Sequence, residues 1–193
     1  MSCLEDLEQP NKLPTFNTAK MMRLSKFSQM AASAKAAFTS RDAASTQQNL
    51  ETINASVLKL TQTTTAYTGG LLAASSISND EATLGQNIKN AISDANASEM
   101  VTEDEADAII KYIVDTLEPN IKACMSALQA KKEELKKAGL QGTVKGDMDD
   151  LRKQTNDLGK ALLAKAPESK RPEGEKAMKV VDGDFEEAVK AFA

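Results

Sequence analysis

Leu50, Ile53, Val57, Leu60, Thr64 and Tyr67 follow one another in steps of three and four residues, and Gly69-Gly70 ends the run. That step is the repeat of an α-helix and not of a strand, so the stretch predicts an amphipathic helix with one buried face and a glycine stop. The pattern recurs downstream. A second helix is expected from about Ser78 to Ala97, with Leu84, Ile88, Ala91, Ile92 and Ala95 on one face. A third opens at Thr102, because Thr102 and Glu105 spell a capping box while Val101 and Ala106 occupy the staple positions. Its inward face is Ala106, Ile109, Ile110, Ile113 and Leu117.

Pro119 either begins a fourth helix at its first turn, where the missing N–H costs nothing, or bends a continuous one, and the new helix is the favoured reading. This helix carries Ile121, Cys124, Met125, Leu128 and Leu135, and the cationic run Lys131 to Lys137 before Gly139 suits its C-terminal end. Gly139, Gly142 and Gly146 then mark a connection. A fifth helix is expected to open near Asp147 to Asp150 and to continue through Met148, Leu151, Thr155, Leu158, Leu162 and Leu163 as far as Pro167. After the polar segment PESKRPEG, a last helix carries Ala177, Val181, Phe185, Ala188, Val189 and Phe192. No heptad persists and no repeat of fixed period is present, so the expected fold is all-α, an antiparallel bundle of five to six amphipathic helices.

Composition agrees with helix: 29 of 193 residues are Ala and only 4% are aromatic. A chain of this length suits one domain with one sizeable core. Charge divides it, since residues 1–41 hold six Lys/Arg against three acids and the remainder holds 18 against 25. Residues 1–41 are therefore expected to be a basic, flexible segment, a decayed secretory signal or a weak presequence, and residues 42–193 the helical domain. Lys26, Ser28, Gln29, Ser33 and Lys35 interrupt the apolar stretch that a working secretory signal needs. The net charge of −4 gives no reason to expect nucleic acid, and no apolar run is long enough for an integral membrane segment.

Catalytic equipment is scarce. The chain has no His, which removes imidazole triads, His-ligated metals and switching near neutral pH. Cys3 and Cys124 are too far apart in sequence for a CxxC motif, and Cys124 lacks the usual base beside it. Glu103, Asp104, Glu105 and Asp107 sit at a helix start, where the dipole accounts for them. Asp147, Asp149 and Asp150 lack the glycine and distal Glu of a calcium loop. No catalytic residue, metal or cofactor is expected. Two sequons, at Asn54 and Asn96, fall in predicted helix.

Tyr67 and Tyr112 are the only aromatics between Asp42 and Asp184, so the interior must be built from Leu, Ile, Val, Met and Ala. Small side chains opposite branched ones either interlock or leave a tubular gap suited to a lipid chain. The side chains expected to line such a gap are Val57 and Leu60 from the first helix, and Leu84, Ile88 and Ile92 from the second. Ile109, Ile113 and Leu128 follow from the third and fourth, then Leu151, Leu158 and Leu162 from the fifth, and Phe185 and Val189 from the last. Thr64 and Thr155 interrupt apolar stripes and, with Tyr67, are the candidate polar anchors. Back-bonding to their own helix is the competing account of the threonines.

The order of segments carries a family likeness. LETINASVLKLTQTTTAYTGG, then LGQNIKNAISDANASEMVTEDEADAIIKYIVDTLEPNIKACMSALQAKKEEL, then DDLRKQTNDLGKALLAKAPES and the terminal DFEEAVKAF resemble the fungal hydrophobic surface binding protein family, also known as cell-wall galactomannoproteins. The resemblance covers roughly Asp42 to Phe192. It implies a non-enzymatic helical bundle that binds a fatty acid or similar apolar ligand, or that adsorbs to hydrophobic surfaces as an adhesion or coat protein without a defined pocket. It also implies an extracellular or wall-attached location, whereas a polar N-terminus that is the true start implies an intracellular one.

Overall fold

The computed structural model describes residues 41–193, and the expectations for the segment before them lie outside the described residues. Helix α1 spans Arg41–Ala66, α2 Leu71–Ala97, α3 Glu103–Tyr112, α4 Glu118–Ala130, α5 Lys132–Lys137, α6 Gln141–Lys165 and α7 Arg171–Ala191. There is no strand among the described residues. The all-α bundle expected from the periodicity is what forms, with α3 and α4 acting as one rod and α5 as a short connector.

Boundaries moved in several places; the last helix, α7, begins at Arg171, inside the polar segment after which it was expected. Helix α2 begins at Leu71 and not near Ser78, because Gly70 at φ +90° breaks the chain just before it and Ala74 and Ile77 already face inward. Helix α4 has Pro119 in its first turn, as expected, but it runs on from α3 through a π turn with no loop between them, and the proline is the reason. Pro119 lacks the N–H that would reach Asp115, and its ring crowds that carbonyl, so the rod widens into a π turn over Ile113–Leu117 and continues. The Glu118 N–H donates to Ile113 O, the longer bond that the widened turn requires. Helix α6 begins at Gln141, ahead of the acidic run where it was expected. The reason is a Schellman closure: Leu140 N–H donates to Leu135 O at 2.9 Å, Gly139 N–H donates to Lys136 O at 3.0 Å, and Gly139 takes φ +75°. The chain is thereby turned at Gly139 itself. Val144 and Met148, buried at helical spacing before Leu151, draw Gly142 and Gly146 into the next helix.

The chain runs down α1, up α2, down α3 and α4, up α6 and down α7. Cross-links fix these directions. Between α1 and α2, Thr63 pairs with Asp80, Asn87 with Ser56 and Asn49 with Asp94, so the numbers move oppositely. Between the α3/α4 rod and α7, Lys170 pairs with Asp107 and Lys122 with Asp184, so the numbers rise together. Asn120 likewise donates to Asn54 of α1 at 2.8 Å, which ties up the first sequon asparagine. Side-by-side packing follows the order α1, α2, α6, α7, α3/α4 and back to α1, a closed ring of five. An odd ring cannot alternate all round, so antiparallel and parallel neighbours must mix. Helices about 10 Å across leave an axial gap of about 7 Å when five close into a ring, against about 4 Å for four. Side chains must fill that gap.

Gly142 and Gly146 now lie inside a helix with nothing within 4 Å of where a Cβ would stand. Replacing either with Ala is expected to raise unfolding stability by about 1 kcal/mol, measured by urea denaturation at unchanged slope.

Candidate functional site

Inward-facing side chains change size along the ring. Rising along α2 the buried positions are Ala74, Ile77, Leu84, Gly85 and Ile88, then Ala91 and Ala95, so the large side chains stop at Ile88. Descending α7 they are Gly174 and Ala177, then Val181, Phe185, Ala188 and Val189, so the large side chains begin at Val181. Helix α1 starts on Ala43 and Thr46 before Leu50 and Ile53, and α3 starts on Ala106 before Ile109 and Ile110. Because α2 rises while α1, α3 and α7 descend, these small ends meet at the same level, the upper end of the ring.

A cavity of about 100 Å³ opens there. Leu50, Ala95, Ala106, Ile109, Ile110, Ile113, Leu117 and Ile121 line it from one side, and Leu158, Gly159, Leu162, Leu163, Ala166, Gly174, Ala177 and Val181 from the other. Among the described residues the polar lining is Thr46, Ser98, Glu99, Thr155, Asn156 and Lys165. An apolar void of this volume costs about 2 kcal/mol of stability if left empty. Its roof is the Ser98–Thr102 connection, which must cross the top of the ring because α2 and α3 are not neighbours. Val101 N–H donates to Lys165 O at 3.0 Å, and the Lys165 ammonium donates to Ser98 O at 2.6 Å and Asn96 O at 3.0 Å. The capping box then starts α3: Thr102 Oγ1 accepts from Glu105 N–H, and Thr102 N–H donates to Glu105 Oε2 at 3.0 Å. The staple residues Val101 and Ala106 both face the void.

Of the residues expected to line a gap, Ile109, Ile113, Leu158 and Leu162 border this cavity, as does the candidate anchor Thr155. The others lie elsewhere. Val57, Leu60, Leu84, Ile88, Leu128, Leu151, Phe185 and Val189 are buried in the packed core, and Ile92 is packed against it. Thr64 is fully buried and its hydroxyl has no partner; Tyr67 is buried with its hydroxyl likewise unpaired, and neither borders the cavity. Sequence reading looked for large apolar residues and passed over Ala95, Ala106, Gly159, Gly174 and Ala177. The signal that finds them is the size gradient, legible only once helix directions and levels are known.

Charge around the cavity is structural. Arg152 of α6 donates to Asp182 of α7 through Nε at 2.6 Å and Nη2 at 2.7 Å and reaches Glu186 at 3.1 Å, while Asn156 donates to Asp182 at 2.7 Å. The guanidinium bond holds the Asp182 carboxyl down to about 2. Burial, reinforced by Asp150, raises the Asp147 carboxyl, and burial with Asp147 and Asp150 raises Glu81, so the acidic run repels itself. Among the described residues no group of His, Cys, Asp or Glu is arranged to hold a metal ion. Burial pushes the Cys124 thiol up to about 11, which keeps it protonated at neutral pH. No helix among the described residues is long and apolar enough to cross a membrane.

The geometry has counterparts. The family model described as hydrophobic surface binding protein A matches residues 43–164. AFMP4P in complex with palmitic acid is similar with a TM-score of 0.76 and 27% identity, over 78% of this chain and 99% of that one. Ligand binding domain 1 of Penicillium marneffei MP1 protein, complexed with arachidonic acids, is similar with a TM-score of 0.75 and 21% identity over 79% and 99%. Domain 2 of the same protein, also with arachidonic acids, gives 0.75 and 22% over 81% and 99%. No curated protein matches the chain significantly.

The Arg152–Asp182 pair sets an acid limit. A carboxyl held below its unfolded value, about 3.9, contributes stability above that value and loses it as pH falls toward 2. Asp182→Asn is expected to lower stability at pH 7 and to flatten its decline between about pH 4 and pH 2, read from urea midpoints across that range.

Proposed function

We propose that this chain, which belongs to the hydrophobic surface binding protein A family, is a non-enzymatic carrier of a single long-chain fatty acid held in the upper cavity of the ring. The observation that carries this reading is the convergence of small residues from α2, α3, α6 and α7 on one level, which leaves an apolar void at a cost that a filled core would avoid. Similar chains that hold palmitic and arachidonic acids support the same ligand class. Among the described residues Lys165 is the one cation of the lining, and it stands at the roof, where it meets a carboxylate while the tail lies among Ile109, Ile113 and Leu158. Ser98 and Thr155 supply hydroxyls there.

Ala177→Leu places extra carbon in the void. It is expected to weaken displacement of a fluorescent fatty acid by palmitate about tenfold or more, about 1.4 kcal/mol, while the melting temperature holds or rises. Unchanged displacement overturns the reading.

A second activity has its own observation. Leu71 and Leu72, just after Gly69-Gly70 at the lower end, are 67% and 92% exposed. An exposed leucine pair at a turn is suited to adsorption on apolar surfaces, far from the cavity. Leu71→Ser with Leu72→Ser is expected to reduce adsorption to polystyrene several-fold and to leave palmitate displacement as it was.

A further inference from the structure

We propose that the seam between α6 and α7 is the portal through which the acyl chain passes, with Met178 and Leu163 as its gate. This inference rests on the fatty-acid reading and concerns how the ligand reaches the same cavity. At about 100 Å³ the cavity is well below the roughly 300 Å³ at which ligand pockets begin. Some wall must therefore give way.

The α6–α7 wall is one side chain thick. On its outer face lies an open groove of about 280 Å³ bordered by Glu175, Lys179 and Asp182, and Asn156, Leu163 and Met178 line both that groove and the cavity. The two apolar members are seated reciprocally on bare backbone. Met178 Sδ and Cε lie 2.7 Å from where a Cβ on Gly159 would stand, and Leu163 Cδ2 lies 2.7 Å from the same position on Gly174. Each glycine leaves a notch that the opposite side chain fills. An unbranched thioether can swing out of such a notch by rotating about its own bonds, with no change of backbone.

Polar ties stand on either side of this stretch and not within it. Below, Arg152 and Asn156 hold Asp182; above, Arg171 Nε donates to Ala166 O at 3.2 Å. Between them no hydrogen bond or ion pair among the described residues joins α6 to α7. Two of the other walls are fastened near the cavity: Asn49 to Asp94 joins α1 and α2, and Lys170 to Asp107 with Ser169 to Glu103 joins the start of α7 to α3. The roof is pinned by Lys165. Lys179 on the groove offers a cation to an arriving carboxylate.

A reversible lock tests the portal. Met178 Cγ lies 2.8 Å from the Gly159 Cβ position, which puts the two Cβ atoms within about 4.3 Å of each other, inside disulfide reach. In the full chain carrying Cys3→Ser, the pair Gly159→Cys and Met178→Cys is made, and uptake and release of cis-parinaric acid are followed by stopped-flow fluorescence. Oxidation is expected to slow both about tenfold or more, and dithiothreitol to restore them. Equal rates in the oxidised and reduced forms of this variant overturn the portal while the fatty-acid reading stands. If the unsubstituted chain takes up no cis-parinaric acid, the fatty-acid reading fails and the portal with it. If the paired variant does not fold, Gly159→Ala decides: its Cβ expels Met178 from the notch, so uptake and release should both quicken, and rates like those of the unsubstituted chain overturn the portal.

Discussion

Closing five helices into a ring leaves axial space that backbone cannot occupy, and everything else in this molecule answers to that space. In the lower part it is filled by Leu60, Leu84, Ile88, Met125, Leu151 and Phe185, which form a continuous packed core. In the upper part the inward positions are Ala95, Ala106, Gly174 and Ala177, and the space stays open. The same ring thus supplies stability at one level and a binding chamber at another. Since the void removes about 2 kcal/mol, the filled part has to carry the fold.

The topology puts a roof over the chamber. Helices α2 and α3 follow each other in sequence but stand apart in the ring, so their connection must pass over the opening. Lys165 holds that connection down from the end of α6, and the capping box of Thr102 and Glu105 starts α3 directly beneath it. The π turn at Ile113–Leu117 belongs to the same region. Pro119 forces the rod to widen, and Ile113 and Leu117 from the widened turn both border the chamber. The chamber proposed for a lipid tail and the exposed Leu71 and Leu72 proposed for adsorption are separated by the length of the bundle.

Helix positions were legible in the residues because the 3.6-residue repeat is a local property. Leu50, Ile53, Val57 and Leu60 did become a buried stripe, and Thr102 with Glu105 did cap a helix. Boundaries that depend on competition were not legible. Gly142 and Gly146 read as a connection, yet burial of Val144 and Met148 outweighs the roughly 1 kcal/mol that each glycine costs in a helix. Pro119 does stand in the first turn of α4, yet the π turn that joins α4 to α3 into one rod was not legible from the residues.

By itself the sequence determined an aliphatic, aromatic-poor set of amphipathic helices with little catalytic equipment, because repeat, capping and composition act over a few residues at a time. It left open whether the interior was filled or hollow. Only the tertiary structure decided that, because an Ala at residue 95 and an Ala at residue 177 make a cavity only if the ring brings them to the same height. Direction, register and neighbour order set that height. They also separate Thr155 at the chamber from Thr64 in the packed core, two threonines that the stripe alone presents as equivalent.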